Sequence, residues 1–422
     1  MRATLVQMRS HTKAQRHKDD SERRPVTRDA VPRGQLIQEP LAVYVHIPFC
    51  AKHCAYCDFN VAVERAGSAV VPQTVEAICR DIAQSAGNLQ SERGHRVDTI
   101  FFGGGTPTFL SGEQLAAILR TIRDCLDVSP DAEISSEANP GSSDSSTFAA
   151  MRAAGFNRLS IGVQAFDDAL LARMDRLHSA ADAERAIAAA RVAGFSNVSL
   201  DLMFGLPGQT LELWSASLDR ALACGTEHLS LYALSLEPGT RFERLHRGGK
   251  LELPDEESEL AMYEAAITRL TAAGYEHYEV SNFARPGYRS RHNQVYWRNQ
   301  AYLGVGPGAV SYLNGRRWKR ERLPRRYAAK VTAGADLSVE SEELSPRETL
   351  GETMMLGLRL LDGLSLSAMR ARFGMDPAEV YFDQIRELSR RGLLTSQGDT
   401  LRLTHSGLLL ANTVLSEFLL DA

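Results

Sequence analysis

No stretch of this 422-residue chain approaches the roughly 20 consecutive apolar residues needed to span a bilayer, although 44% of its residues are hydrophobic. The apolar content is spread out, enough for a large domain and a smaller one, and the protein is expected to be soluble. Cysteine is scarce, with six in all, three of them clustered. That number makes no disulfide framework and fits a reducing, cytoplasmic setting. An excess of either charge is missing too: 48 Lys and Arg stand against 52 Asp and Glu. No apolar segment follows the N-terminal charges, which argues against a secretory signal.

Residues 1–40 hold nine Lys/Arg against five Asp/Glu and few large apolar side chains. Such a segment cannot bury enough surface to offset the cost of ordering, so a disordered basic tail is expected. Its basic, Ser/Thr-containing character has the flavour of a mitochondrial transit peptide, but Asp19-Asp20-Ser21-Glu22 does not suit one, and a bacterial leader or an upstream start codon is the better reading. Removing the tail's net +4 from the total of −4 leaves about −8 on the remainder. A body of that sign offers no electrostatic footprint for nucleic acid.

What is present is a run of three thiols, Cys50-Ala51-Lys52-His53-Cys54-Ala55-Tyr56-Cys57. Soft sulfur ligands favour zinc, copper(I) or iron–sulfur clusters. A closed zinc site requires a fourth ligand nearby, and His46 and His53 are poorly placed to supply one. Three thiolates can hold three irons of a [4Fe–4S] cube and leave the fourth iron free for a small molecule. A zinc knuckle or chance clustering are the alternatives. Cys79, Cys125 and Cys224 fall singly in helix-like stretches and read as packing residues.

Short β-branched or aromatic runs alternate with longer stretches of helical period, the mark of βα units around a parallel sheet. Strands are expected at Ala42 to Ile47, Val97 to Phe102, Glu133 to Glu137, Arg158 to Val163, Asn197 to Met203 and His228 to Ala233. Helices are expected near 72–88, 112–127, 144–155, 180–194, 210–224 and 254–273. Six units are too few to close an eight-stranded barrel, so the fold class is α/β with an open, partial (β/α)6 barrel.

The chemistry-capable residues sit just after those strands, where parallel barrels place their active sites. The Cys loop follows the first. Gly103-Gly104-Gly105-Thr106-Pro107 follows the second, and a glycine run lets backbone approach a ligand, or merely makes a tight turn. Glu137 closes the third, Gln164 the fourth, Asp201 lies in the fifth and Ser235 follows the sixth. Glu137 and Asp201 are acceptors suited to a ligand amine and ribose hydroxyls, and Arg176 could pair with a carboxylate; taken singly, a solvated or structurally paired charge is the commoner account of each.

The segment from Tyr44 through Cys50, Cys54 and Cys57 to Phe59 and Asn60 resembles the signature of radical SAM enzymes, and within them the HemN/HemW group. The resemblance covers roughly residues 41–420. It implies that S-adenosylmethionine (SAM) chelates the free iron of a [4Fe–4S] cluster held by Cys50, Cys54 and Cys57, and that electron transfer cleaves the sulfonium to a 5′-deoxyadenosyl radical. Tyr44, Gly105, Thr106, Glu137, Gln164, Arg176 and Asp201 fall where members of the group contact SAM, with Ser235 matching less closely. Phe156 to Phe166 is itself characteristic of the group.

Oxygen-independent coproporphyrinogen III dehydrogenases of this group carry a further cysteine where this chain has Phe59. Their reaction and a HemN-like radical methyltransferase are the alternatives. Phe59, with the run His292-Asn293-Gln294-Val295-Tyr296-Trp297, resembles instead the heme chaperone branch. That implies a carrier more than a catalyst: it binds heme and passes it to an acceptor hemoprotein, respiratory in character, with room for a transient membrane contact. An imidazole is a competent axial iron ligand, and Tyr296 and Trp297 offer flat apolar faces, so His292 is the candidate heme ligand; packing of a connecting segment is the other reading.

The expected layout is therefore a tail at 1–40, the partial barrel at 41–275, a connecting, heme-motif segment at 276–344 and a winged-helix-like α+β module at 345–422. Ser345-Pro346-Arg347-Glu348 has the form of a helix start. Helices near 346–361, 365–373 and 376–391 precede short strands at 393–395 and 401–404. With eight Lys/Arg against ten Asp/Glu, the module reads as a lid or docking surface beside the barrel mouth and not as a DNA reader.

Overall fold

The structure is a computed structural model describing residues 40–65, 67–90, 95–142 and 145–419. The basic tail, up to residue 39, lies outside the described residues. Strands β1 (Pro40–Ile47), β2 (Phe49–Cys50) and β3 (Ala62–Val63) lead into helix α1 (Val70–Gln90), β4 (Arg96–Gly104), α2 (Gly112–Cys125) and β5 (Asp127–Ala138). Then come α3 (Ser145–Ala154), β6 (Arg158–Gln164), α4 (Asp168–Arg173), α5 (Ala180–Val192), β7 (Val198–Phe204), α6 (Leu211–Ala223) and β8 (His228–Ala233). After α7 (Arg241–Arg247) and α8 (Glu256–Ala272) the chain forms the hairpin β9 (Glu276–Glu279) and β10 (Asn282–Ala284), then α9 (Arg291–Trp297).

Strands β1, β4, β5, β6, β7 and β8 are neighbours in that order and pair in parallel, which is the open barrel expected from the six βα units. Alternation explains why they curl one way. Val43, Val45, Ile100, Phe102, Ile134, Leu159, Ile161, Leu200 and Leu229 share a buried apolar cluster with the helices. Their sequence neighbours Tyr44, His46, Phe101, Glu137, Ser160, Asp201 and Ser230 lie on the opposite, lumen face. The structure differs from expectation at the third unit: α2 stops at Cys125, and the strand runs from Asp127 where sequence suggested a start at Glu133.

The segment 276–344 is more than a connection. The strands β11 (Tyr302–Val305), β12 (Val310–Leu313), β13 (Arg316–Arg320) and β14 (Ser338–Glu343), with α10 (Pro324–Thr332) between the last two, extend the sheet beyond β1, while β10 and β9 extend it beyond β8. The sheet thereby reaches twelve strands and still has two edges.

The C-terminal module supplies α11 (Pro346–Gly357), β15 (Leu364–Ser365), α12 (Leu366–Phe373), α13 (Pro377–Val380), α14 (Phe382–Arg390), β16 (Leu394–Gln397), β17 (Thr400–Leu403), α15 (His405–Leu409) and α16 (Ala411–Ser416). Its three-stranded sheet, ordered β15-β17-β16, beside the helices matches the winged-helix-like expectation. It packs against both flanks of the sheet. On one side Glu352 of α11 pairs with Arg317 of β13 at 2.5 Å. On the other, the Val280 amide donates to Arg359 (3.2 Å), the Leu361 amide donates to Tyr278 (3.0 Å), and Arg289 pairs with Asp362. The module therefore touches strands near both ends of the open sheet, and at the β9 edge it pairs with backbone groups that an unclosed barrel leaves open. No helix among the described residues is long and apolar enough to cross a membrane.

Candidate cofactor site at the barrel mouth

Strand β1 delivers the thiol loop. Beyond Ile47 the short parallel pair β2·β3 closes the loop at its base, with the Ala62 amide donating to Pro48 (2.7 Å) and the Glu64 amide to Cys50 (3.1 Å). Cys50, Cys54 and Cys57 are all unpaired and half-buried. Thr106 Oγ1 lies 3.4 Å from Cys50 Sγ, and Arg176 Nη1 donates to Cys54 Sγ at 3.7 Å. Burial pushes the Cys50 thiol up and that of Cys57 to about 12, so these sulfurs ionise only when a cation takes them. Among the described residues no three His, Cys, Asp or Glu side chains converge as a set for one metal ion. A cube, in which each thiolate serves a different iron, suits such a triplet better than zinc.

Two carboxylates face this loop from the lumen. Glu137 Oε2 accepts from the Gly104 amide (3.0 Å), and Asp201 Oδ1 accepts from Ser160 Oγ (2.9 Å). Burial, with the Asp201 charge nearby, lifts Glu137 to about 7; burial lifts Asp201 to about 6 against the hydrogen bonds from Ser160 and Ser230. Among the described residues neither forms an ion pair within 4 Å, although the charges of Arg158 and Arg176 draw Asp201 back down in part. A mouth with two desolvated acids, at most partly offset by nearby charge, favours a cationic ligand.

The glycine run makes this approach possible. A Cβ on Gly104 would come 2.4 Å from the His46 ring, and its φ of +116° is one that side chains rarely adopt. At Gly105 a Cβ would meet the backbone of Pro48 and Phe49 at 2.8 Å, while its amide donates to Ile47. Thr106 is buried and its amide donates to Phe49 (2.8 Å), fixing the glycine turn to the thiol loop.

Gln164 ends β6 at φ +66°, a left-handed conformation whose strain in a non-glycine residue is found at functional sites. Arg176 gives Nη2 to the Gly162 carbonyl (2.7 Å) and leaves a buried Nε without a partner. It thus faces the thiols. Ser235 Oγ donates to Glu237 (2.8 Å), just past the end of β8. Tyr44 sits in the lumen, its hydroxyl 3.0 Å from His46 Nδ1 and its ring 6.3 Å from Phe101 at 17°.

His292 lies elsewhere, low in the lumen. It is 1% exposed, with Nδ1 2.9 Å from Thr99 Oγ1 and Nε2 3.1 Å from Tyr296 Oη. Burial takes its pKa down to about 3, so the ring is neutral. Thr99 precedes Gly103 by four residues on β4, which puts His292 about 13 Å below the mouth at 3.3 Å per residue. In this conformation both ring nitrogens are engaged, and an iron would have to displace one of those partners.

Sequence reasoning gave no positioning role to three residues that matter. His46 Nε2 donates to the Asn60 carbonyl (2.9 Å), so its Nδ1 accepts from Tyr44. Asn60 Nδ2 donates to the carbonyls of Pro307 (3.0 Å) and Arg322 (3.1 Å), tying the thiol loop to β13's far end. Glu133 accepts from the amides of Arg291 (2.9 Å) and His292 (3.0 Å), seating α9. Only the lumen parity of His46 and Glu133 on their strands could have signalled them.

Fold and site together define a radical SAM protein with a HemN-type C-terminal module: residues 44–221 match the Radical SAM superfamily and residues 344–410 the HemN C-terminal domain. The chain is 43% identical over 332 residues to the heme chaperone HemW of Synechocystis sp., covering 77% of this chain and 79% of that relative. With the heme chaperone HemW of Bacillus subtilis it shares 38% over 380 residues, covering 90% and 99%. Among solved structures, Escherichia coli coproporphyrinogen III oxidase (HemN), described as a radical SAM enzyme, superposes with TM-score 0.78 at 25% identity over 90% of each chain. The chain belongs to the HemW family.

Proposed function

We propose that this protein is a heme chaperone that binds a [4Fe–4S] cluster, SAM and heme and transfers the heme to an acceptor hemoprotein in the cytoplasm. The observation that carries this reading is Phe59. It stands two residues beyond Cys57 and is 45% exposed, where decarboxylating members of the wider group have a further cysteine. Similarity to curated heme chaperones over nine-tenths of the chain supports it.

Cys50, Cys54 and Cys57 would hold the cluster, which with SAM supplies one-electron chemistry at a sulfonium. Glu137 and Asp201 take the ligand's amine and ribose hydroxyls. Gly105 and Thr106 keep the backbone close, Gln164 and Ser235 offer polar contacts at the rim, and Tyr44 holds His46 and so the loop. Arg176 steadies the thiolates by charge. His292 is the candidate axial ligand for heme iron, and ligation then requires Tyr296 or Thr99 to let go of the ring.

The test is anaerobic reconstitution followed by heme addition and transfer to an apo-hemoprotein, with coproporphyrinogen III offered in parallel. A stoichiometric heme complex that loads the acceptor is expected. Conversion to protoporphyrinogen IX at an enzymatic rate, with no heme retained, overturns the reading in favour of the oxidative decarboxylase.

A further inference from the structure

The thiol loop carries an unusual neighbour. Asn60 binds the Arg322 carbonyl, so Phe59 on one side of that hydrogen bond and Leu323 on the other are brought to the same rim. Both are exposed, at 45% and 43%, and Val63, paired with Cys50 across β2·β3, is exposed as well. Around them the sequence Arg322-Leu323-Pro324-Arg325-Arg326 opens α10. All three arginines are exposed, and none forms an ion pair among the described residues.

Helix stability does not explain these cations. Helix α10 has no acidic residue in its first turn and no side-chain cap at Leu323. Three guanidiniums at the positive end of a helix repel its dipole; buried Glu321, whose Oε1 accepts from the Leu323 amide (3.0 Å), offsets part of that and leaves the exposed guanidiniums themselves without a carboxylate partner among the described residues. Apolar surface next to unpaired arginines is the complement of a flat apolar ligand that carries carboxylates.

We propose that this rim, formed by Phe59 and Leu323 with Arg322, Arg325 and Arg326, is a seat for the porphyrin, its macrocycle on the apolar side chains and its propionates on the arginines, separate from His292. The inference rests on the heme-carrying reading above. It places the porphyrin's first contact at the mouth, beside Cys57, while His292 sits low in the lumen with its ring nitrogens occupied. Being exposed, the arginines can be changed without disturbing the core.

The experiment uses the full-length, anaerobically reconstituted protein, titrated with heme and with heme dimethyl ester and followed by Soret absorbance. Circular dichroism and cluster absorbance serve as controls for folding. The Arg325→Glu/Arg326→Glu variant is expected to bind heme about tenfold or more weakly while its affinity for the dimethyl ester changes little. Phe59→Asp should weaken both ligands. A parent that binds heme and a charge-reversed variant that binds it equally well overturn the seat alone; a parent that binds no heme overturns the carrying role and the seat together. Normal heme affinity with lost delivery to the acceptor also overturns it, since the rim would then dock the protein partner.

Discussion

His292 lies nearly flat on Phe101, with ring centroids 5.1 Å apart and planes inclined by 22°. Phe101 faces Tyr44 in turn, Tyr44 hydrogen-bonds His46, and His46 holds the Asn60 carbonyl at the end of the thiol loop. A continuous column thus runs from the base of the lumen to the mouth. At its lower end Tyr296 meets Tyr302 of β11 edge-on at 4.8 Å. Two residues of the H-N-x-x-Y-W run join this column, His292 and Tyr296 satisfying each other's polar tips inside the barrel, while Trp297 turns the other way into the apolar cluster of the C-terminal module.

His292→Ala should therefore act first on stability. It removes a stacked ring and strands Thr99 and Tyr296 hydroxyls, a loss of about 3 kcal/mol. The ring's pKa is depressed to about 3, so its contribution is present above the ordinary histidine value and fades as pH falls from about 6.5 toward 3. Chemical denaturation at about pH 7.5 and about pH 5 should find the variant weaker at the higher pH and the gap narrowing at the lower. An unchanged midpoint at both would mean that the ring is not locked as described.

SAM affinity should rise with pH. The elevated carboxyls of Glu137, about 7, and Asp201, about 6, steady the ligand-free fold when protonated, and that contribution is lost as pH climbs through those values. A cationic ligand prefers them ionised, so binding releases protons. Isothermal titration from about pH 5.5 to about 7.5 should show tighter binding at the alkaline end, and Glu137→Gln should flatten the profile. A flat profile in the parent would remove Glu137 and Asp201 from the ligand's surroundings.

Gly104→Ala should damage the mouth. The new methyl meets the His46 ring at 2.4 Å, and the backbone sits at φ +116°. Displacing the ring breaks its bonds to Tyr44 and Asn60, for a combined cost of about 3 kcal/mol. Reconstituted variant protein should retain less iron per chain than the parent, and iron and sulfide assay checks it. Full cluster occupancy with an unchanged melting temperature would show that His46 moves aside freely.

Much of this was legible in the sequence because it is carried by local pattern. The thiol spacing, the glycine run after β4 and the placement of Glu137, Gln164 and Asp201 at strand ends follow from period-two alternation and βα order. What was not legible depends on long-range pairing. Residues 276–344 look like connection because β9 to β14 are short and charged; Arg316 to Arg320 and Ser338 to Glu343 make a strand pair through alternating ion pairs, not apolar alternation. His292 was expected to be an available imidazole because nothing in a linear reading places it beside Thr99, 193 residues away.

One of the links that hold the C-terminal module is a buried charge pair at the β9 edge. Glu279 is fully buried beside Arg359, whose Nη2 is 3.6 Å from Glu279 Oε2 and whose guanidinium lies 4.3 Å over the Trp297 ring. Asn282 donates to the other carboxylate oxygen of Glu279. Burial raises the Glu279 pKa, and the Arg359 charge offsets part of that. Arg359→Met should cost about 3–5 kcal/mol, because it leaves a carboxylate uncompensated in the interior. Glu279→Gln on the same background should recover part of that loss, as the charge requiring compensation is then gone. Limited proteolysis of the single variant should release the module after the 338–345 stretch, with the barrel surviving longer. If the double variant is as unstable as the sum of the two single changes, the pair does not act as a unit and the module is held by its other links, the Arg317–Glu352 pair and the packing around Trp297 among them.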